Sequence, residues 1–126
     1  MEFENIKIEK NQEVAVATLN RPEKANALNQ NLWNEIGALA SWANAQPDIR
    51  VVILEGAGKH FCAGIDYQLI MEIVGNVGPK PEGHKQAALL QIIENLQNAF
   101  TAIEQCHKPF IAVVHGVCLG GGIDLV

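Results

Sequence analysis

Two short turns in this chain set glycine next to an acid: Ala63-Gly64-Ile65-Asp66 and Gly120-Gly121-Gly122-Ile123-Asp124. Each follows an apolar stretch that reads as a strand and runs into a segment that reads as a helix start. Glycines at such a junction let backbone N–H groups approach a ligand closely, and the helix start adds partial positive charge. That combination suits a developing oxyanion, and Asp124 stands close enough to supply or remove a proton. Parallel strands ending side by side would bring the turns together at the carboxyl end of a sheet, where ligands bind in α/β folds. Two N–H donors converging from different loops make an oxyanion hole, among the largest single catalytic devices of proteins. Taken singly, each motif is also what a tight turn needing positive φ requires, and Asp124 alone is an acid that favours a helix dipole.

The elements that would position these turns are legible in the hydrophobic pattern. Phe3, Ile6 and Ile8 precede Val14, Val16 and Leu19, with Asn11-Gln12 between them, which predicts a β-hairpin. Asn20 to Asn26 is a polar loop containing Pro22. Asn29 is a plausible N-cap, and Leu32, Ile36, Leu39, Ala40 and Ala43 recur at helical spacing before Pro47, with Trp33 and Trp42 as packing residues beside the stripe. Val51 to Leu54 is continuously apolar, which predicts a strand covered on both faces. Asp66 caps a short helix through Ile70-Met71, and Gly75 to Gly83 reads as a mobile surface loop. A long amphipathic helix carries Ala88, Leu89, Ile92, Ile93, Leu96, Phe100 and Ile103 on one side and closes at Lys108-Pro109. Phe110 to Val114 is then a second buried strand. Strands alternating with helices call for right-handed crossovers and an α/β architecture, in one domain unfinished at Val126.

Composition bounds the partners. The 126 residues are 48% hydrophobic and 18% charged, as in ordinary globular domains. The formal net charge of -5 argues against nucleic acid as the main partner, while leaving room for an anionic small ligand held by a local basic group. No apolar run approaches the ~20 residues of a membrane span. The acidic start Met1-Glu2-Phe3-Glu4 is unlike a signal or transit peptide. Cys62, Cys106 and Cys118 form no CxxC pair and no metal-ligand spacing, so buried free thiols in a reducing compartment are expected, with the cytoplasm as default and an address in a missing C-terminal signal as the exception. His60 lies in a loop and His115 at a strand end, and neither is expected to be a general base.

Taken in order, Asn20-Arg21-Pro22-Glu23-Lys24-Ala25-Asn26-Ala27-Leu28, His60-Phe61-Cys62-Ala63-Gly64-Ile65-Asp66, Lys108-Pro109-Phe110-Ile111-Ala112-Val113-Val114-His115-Gly116 and Gly120-Gly121-Gly122 resemble the crotonase (enoyl-CoA hydratase/isomerase) superfamily. The resemblance runs from about Phe3 to Val126 and corresponds to the N-terminal half of longer family members. It implies a spiral of ββα units, here truncated before a helical trimerisation region, and a homotrimer or homohexamer for the full-length protein. It implies an acyl-CoA thioester substrate, with no separate cofactor because coenzyme A is part of that substrate, and no metal. The family's oxyanion donors map to the N–H groups of Ile65 and Gly121. The loop containing Arg21, Lys24, Ala25 and Ala27 maps to the part that meets the adenosine and pyrophosphate end of CoA, with Lys24 as a phosphate partner. Ala25, Ala27 and Ala63 would act through the backbone, and Asp66 would bind ligand or cap its helix.

Asp124 stands where hydratases of this family usually carry a catalytic Glu, and in that respect the chain resembles the Δ3,5-Δ2,4-dienoyl-CoA isomerase branch. There the Asp belongs to an acidic cluster completed by a Glu and an Asp farther along the chain. Acids with separated pKa values serve the long-range proton shift of such an isomerase. Enoyl-CoA hydratase, acyl-CoA hydrolase and a non-catalytic acyl-CoA-binding protein are the alternatives. The isolated 126 residues are expected to be inactive.

Overall fold

The computed structural model describes residues 2–126, with β1 (Ile6–Asn11), β2 (Val14–Leu19), α1 (Gln30–Asn44), β3 (Val51–Gly56), α2 (Tyr67–Val77), α3 (Glu82–Glu104), β4 (Phe110–Ala112) and α4 (Gly121–Leu125). The strands form one sheet in the order β1-β2-β3-β4. β1 and β2 are the antiparallel hairpin, and β2–β3 and β3–β4 are parallel. Parallel neighbours need long crossovers. Here α1 supplies the first, and α2 with α3 the second.

The α1 signals all take effect. The Asn29 side chain accepts a hydrogen bond from the Leu32 N–H at 2.9 Å, which satisfies one of the open donors of the first turn. Leu32, Ile36, Leu39, Ala40 and Ala43 are buried. Trp33 is buried too, donates its indole N–H to the Leu96 carbonyl at 2.7 Å and packs at a tilt against Phe100, ring centroids 5.3 Å apart, joining α1 to α3. Trp42 lies half-buried on the other side of α1, edge-on to Phe3. Glu35 is buried within this helix because its carboxylate accepts the N–H groups of Glu4 and Asn5 at 2.8 and 2.9 Å.

In β2 the core face is Ala15, Ala17 and Leu19, whereas Val14 and Val16 are half-buried; the small residues pack into the same cluster as Leu32, Ile36 and Leu39. Several expectations are corrected. β3 is sealed on one face only, with Val52 and Leu54 buried and Val51 and Ile53 half-buried. The expected buried strand Phe110–Val114 shrinks to Phe110–Ala112, and Ile111, Val113 and Val114 are exposed. β4 is the edge of the sheet, pairs only with β3, and no described element covers its outer side. The expected loop Gly75–Gly83 is mostly helix: α2 runs on to Val77 and α3 begins at Glu82, directly after Pro81. Gly75 and Gly83 face open space, so each costs its helix only about 1 kcal/mol of propensity. α3 ends at Glu104, short of Lys108, and its Leu89 and Ile93 are exposed although Leu96, Phe100 and Ile103 pack on the core.

Candidate active site

The two glycine turns meet. Just ahead of them, Cys62 and Cys118 form an isolated parallel bridge, with the Cys62 N–H donating to Val117 O at 3.1 Å and the Leu119 N–H to Cys62 O at 3.0 Å. Gly64 then has φ +95°, and a Cβ on it would stand 3.0 Å from the Leu119 carbonyl oxygen. A Cβ on Gly122 would lie 2.9 Å from both the Cβ and the carbonyl oxygen of Cys62. Positive φ thus demands glycine in the first turn, and want of space demands it in the second.

This contact leaves two donors open. Leu28 is bridged to Ile65: its N–H donates to Gly64 O at 2.8 Å and its carbonyl accepts the Asp66 N–H at 3.0 Å. The N–H of Ile65 itself therefore points to the opposite edge of the segment and has no hydrogen-bond partner among the described residues. Gly121 opens α4, and its N–H is likewise without a partner among the described residues, while the next two N–H groups turn back to Leu119 and Gly120. Ile65, Gly121 and Asp124 line one cleft of about 1010 Å³, with Trp33, Leu96 and Phe100 on its apolar wall. Asp124 is exposed there, in the first turn of α4.

The loop ahead of α1 folds against the first turn. It makes a 3-10 turn at Pro22–Lys24 and then places Ala25 and Asn26 in the left-handed region, at φ 50° and 54°. Arg21 faces inward, bonding its guanidinium to the Ala27 carbonyl and pairing with Asp66 at 3.2 Å; their side chains are 12% and 14% exposed. Arg21 is thereby a strut between the loop and α2. Lys24 is exposed and makes no ion pair among the described residues. Asp66 caps α2 by accepting the Gln68 N–H at 2.8 Å. That bond holds its carboxyl below the usual range against the opposing effect of burial, helped by Arg21 and more weakly by Lys24. The Ala25 carbonyl accepts the Ala63 N–H at 3.0 Å, whereas the Ala63 carbonyl accepts nothing among the described residues. Both backbone groups of Ala27 are engaged within the loop.

Sequence reasoning gave Asn26 no role, yet it is fully buried. Its amide donates to the carbonyls of Ala57 and His60, both at 2.9 Å, and accepts the Arg21 N–H at 2.8 Å. The signal available was an Asn beside a glycine-free turn, a residue type that tolerates left-handed φ. His60 and His115 are both structural: His60 Nδ1 accepts the Val117 N–H at 3.1 Å, and His115 Nε2 bonds Gly58 O at 2.8 Å. Cys62 is buried, and burial pushes its thiol pKa up; Cys106 and Cys118 are half-buried. Among the described residues no cluster of three His, Cys, Asp or Glu side chains could hold a metal ion, and no helix is long and apolar enough to cross a membrane.

Residues 9–126 match the pattern of the enoyl-CoA hydratase/isomerase family. A peroxisomal Delta(3,5)-Delta(2,4)-dienoyl-CoA isomerase of Arabidopsis thaliana is 43% identical over 109 residues, which are 86% of this chain and 39% of that protein. A mitochondrial enzyme of the same name from Mus musculus is 40% identical over 129 residues, covering 98% of this chain and 38% of its own length. Among solved structures, an enoyl-CoA hydratase/isomerase from Xanthobacter autotrophicus Py2 superimposes with a TM-score of 0.83 at 34% identity, over 98% of this chain and 43% of that one. The chain thus spans about two fifths of the length of the curated relatives it matches.

Proposed function

The chain belongs to the enoyl-CoA hydratase/isomerase family, and from that premise we propose that the full-length protein converts 3,5-dienoyl-CoA to 2,4-dienoyl-CoA. Its mixed α/β sheet and helices are the corresponding part of the crotonase-like fold. One observation carries the reading: the N–H groups of Ile65 and Gly121 have no partner among the described residues, and both residues line one cleft with Asp124.

Removing a proton from the carbon next to a thioester leaves negative charge shared between that carbon chain and the thioester oxygen. Two fixed N–H dipoles stabilise that oxygen in a partly dry cleft without a charged side chain. In a 3,5-diene the charge spreads to carbon 6, and returning a proton there leaves double bonds at carbons 2 and 4. One proton leaves and one returns, so the reaction consumes no cofactor, and CoA stays part of the substrate throughout. Asp124, on the cleft wall next to Gly121, assists the proton transfer together with acids of the full-length protein. Lys24 and the carbonyl of Ala63 meet the CoA moiety, supported by the exposure of Lys24 and by a carbonyl on half-buried Ala63 that has no partner among the described residues. The exposed apolar residues Met71, Val74, Leu90 and Ile111 support assembly into a trimer or hexamer, in which such surfaces are buried. The relatives are named peroxisomal and mitochondrial, which lends no support to the cytoplasmic placement expected from the sequence.

The full-length protein incubated with a 3,5-dienoyl-CoA is expected to generate the absorbance of the 2,4-dienoyl thioester. Hydration of a simple enoyl-CoA with no such signal would move the assignment to hydratase. Asp124→Asn is expected to lower turnover about tenfold, equivalent to about 1.4 kcal/mol of barrier, while sparing CoA binding. An unchanged rate would make Asp124 a helix acid only.

A further inference from the structure

We propose that Asn26 is a positioning residue for the Ile65 N–H donor, an inference that rests on the oxyanion-hole reading above. Asn26 is 0% exposed and lies outside the cleft, so it touches no substrate. What it touches is the loop that carries the donor. Its Nδ2 ties together Ala57 O and His60 O, its Oδ1 holds the Arg21 N–H, and its own carbonyl accepts the Cys62 thiol at 3.3 Å. On either side of it, Ala25 O holds the Ala63 N–H and Leu28 grips Gly64 and Asp66. Residues 60 to 66 are thus bonded to residues 25 to 28 at His60, Cys62, Ala63, Gly64 and Asp66, on both sides of Ile65, whose own N–H has no partner among the described residues. The left-handed conformation of Ala25 and Asn26 directs these groups toward the second loop, and strain of this kind persists only where the surroundings over-determine it.

The consequence is a donor fixed before substrate arrives. A backbone N–H contributes fully only when it is aimed at the position where charge develops, and misplacement by about 1 Å can cost about 10²-fold. Removing the Asn26 amide leaves the half-buried carbonyls of Ala57 and His60 and the Arg21 N–H without these partners, and the loop must move to find others.

The test uses the full-length protein, an aryl-acryloyl-CoA as a conjugated probe, and two variants. Asn26→Ala deletes every side-chain bond. Asn26→Asp keeps shape and the acceptor for Arg21, but sets an oxygen against the carbonyls of Ala57 and His60. Hydrogen bonds to the thioester oxygen pull electron density along the conjugated chain, so the wild-type complex is expected to absorb at longer wavelength than the free probe. Both variants are expected to bind the probe with most of this red shift lost. Their kcat should fall about 10²-fold with KM unchanged, the signature of an interaction made in the transition state. A variant that folds and keeps the full red shift and kcat would overturn the proposal. Failure of both variants to fold would assign Asn26 to folding alone and overturn it as well. An unshifted wild-type spectrum would instead sink the oxyanion-hole reading, and this inference with it.

Discussion

The turn at Ala63–Asp66 is held on both sides by hydrogen bonds to residues 21–28, whereas the turn at Leu119–Asp124 combines a single hydrogen bond to another segment, from the Leu119 N–H to Cys62 O, with close packing of its glycines. Around the first, Asn26 and Leu28 bond to the backbone on both sides of Ile65, and Arg21 bonds to the Asp66 carboxylate. Around the second, Gly121 and Gly122 sit against Leu28 and Cys62 with no room for a Cβ at ordinary distance. The difference teaches where each turn is vulnerable. The first tolerates a change of side chain at residue 65 but not the loss of its distant partners. The second depends on the narrow space beside Leu28 and Cys62, least yielding at Gly122, where an added Cβ would meet backbone.

The largest expected effect separates the donor from the packing around it. Gly121→Pro removes an N–H at the first position of α4, where proline suits a helix, and its added carbon meets only the end of the Leu28 side chain. Activity should fall about 10²–10³-fold, the loss typical of one oxyanion donor, with the fold retained by circular dichroism. Full activity would show that Gly121 donates nothing. Gly122→Ala tests the packing itself, because its Cβ would fall 2.9 Å from the backbone of Cys62. A loss of about 1–3 kcal/mol in urea unfolding is expected, as for other overpacked sites, and an unaffected midpoint would refute the steric account.

The smallest effect probes the polar turn. Asp66→Asn keeps a good cap for α2 but breaks the pair with Arg21, which lies between an exposed and a buried ion pair, so about 1–2 kcal/mol should be lost at pH 7. The pKa of Asp66 is lowered in the folded state, so its contribution is complete above the unfolded value of about 4 and is lost as pH falls through the lower folded value. The gap between wild type and variant should therefore narrow below about pH 4. A gap that stays constant in denaturation down to pH 3 would rule out the ion pair as its source.

Much of this was legible from residue types. The hairpin, the caps Asn29 and Asp66, the α1 stripe and the meeting of the two glycine turns follow from local patterns that the tertiary structure reinforces. The misses share a cause, which is that burial depends on neighbours the local pattern does not reveal. Phe110 to Val114 has the composition of a covered strand but lies at the sheet edge. Gly75 to Gly83 has the composition of a loop, yet the helices on both sides extend into it. Asn26 and Arg21 sit in a stretch that looks solvated, and only the fold turns them inward, Asn26 to the carbonyls of Ala57 and His60 and Arg21 to the Asp66 carboxylate. The candidate donors were accessible because they belong to glycine turns; the residues that aim them were not.

The placing of the two tryptophans gives the chain an optical asymmetry. Trp33 borders the cleft at 7% exposure, while Trp42 lies across α1 beside Phe3 and Lys10. A molecule entering the cleft changes the polarity around one indole and leaves the other as an internal standard. Occupancy can then be followed by intrinsic emission alone, with a Trp42→Phe background isolating the signal, and without a label that would itself compete for the cleft.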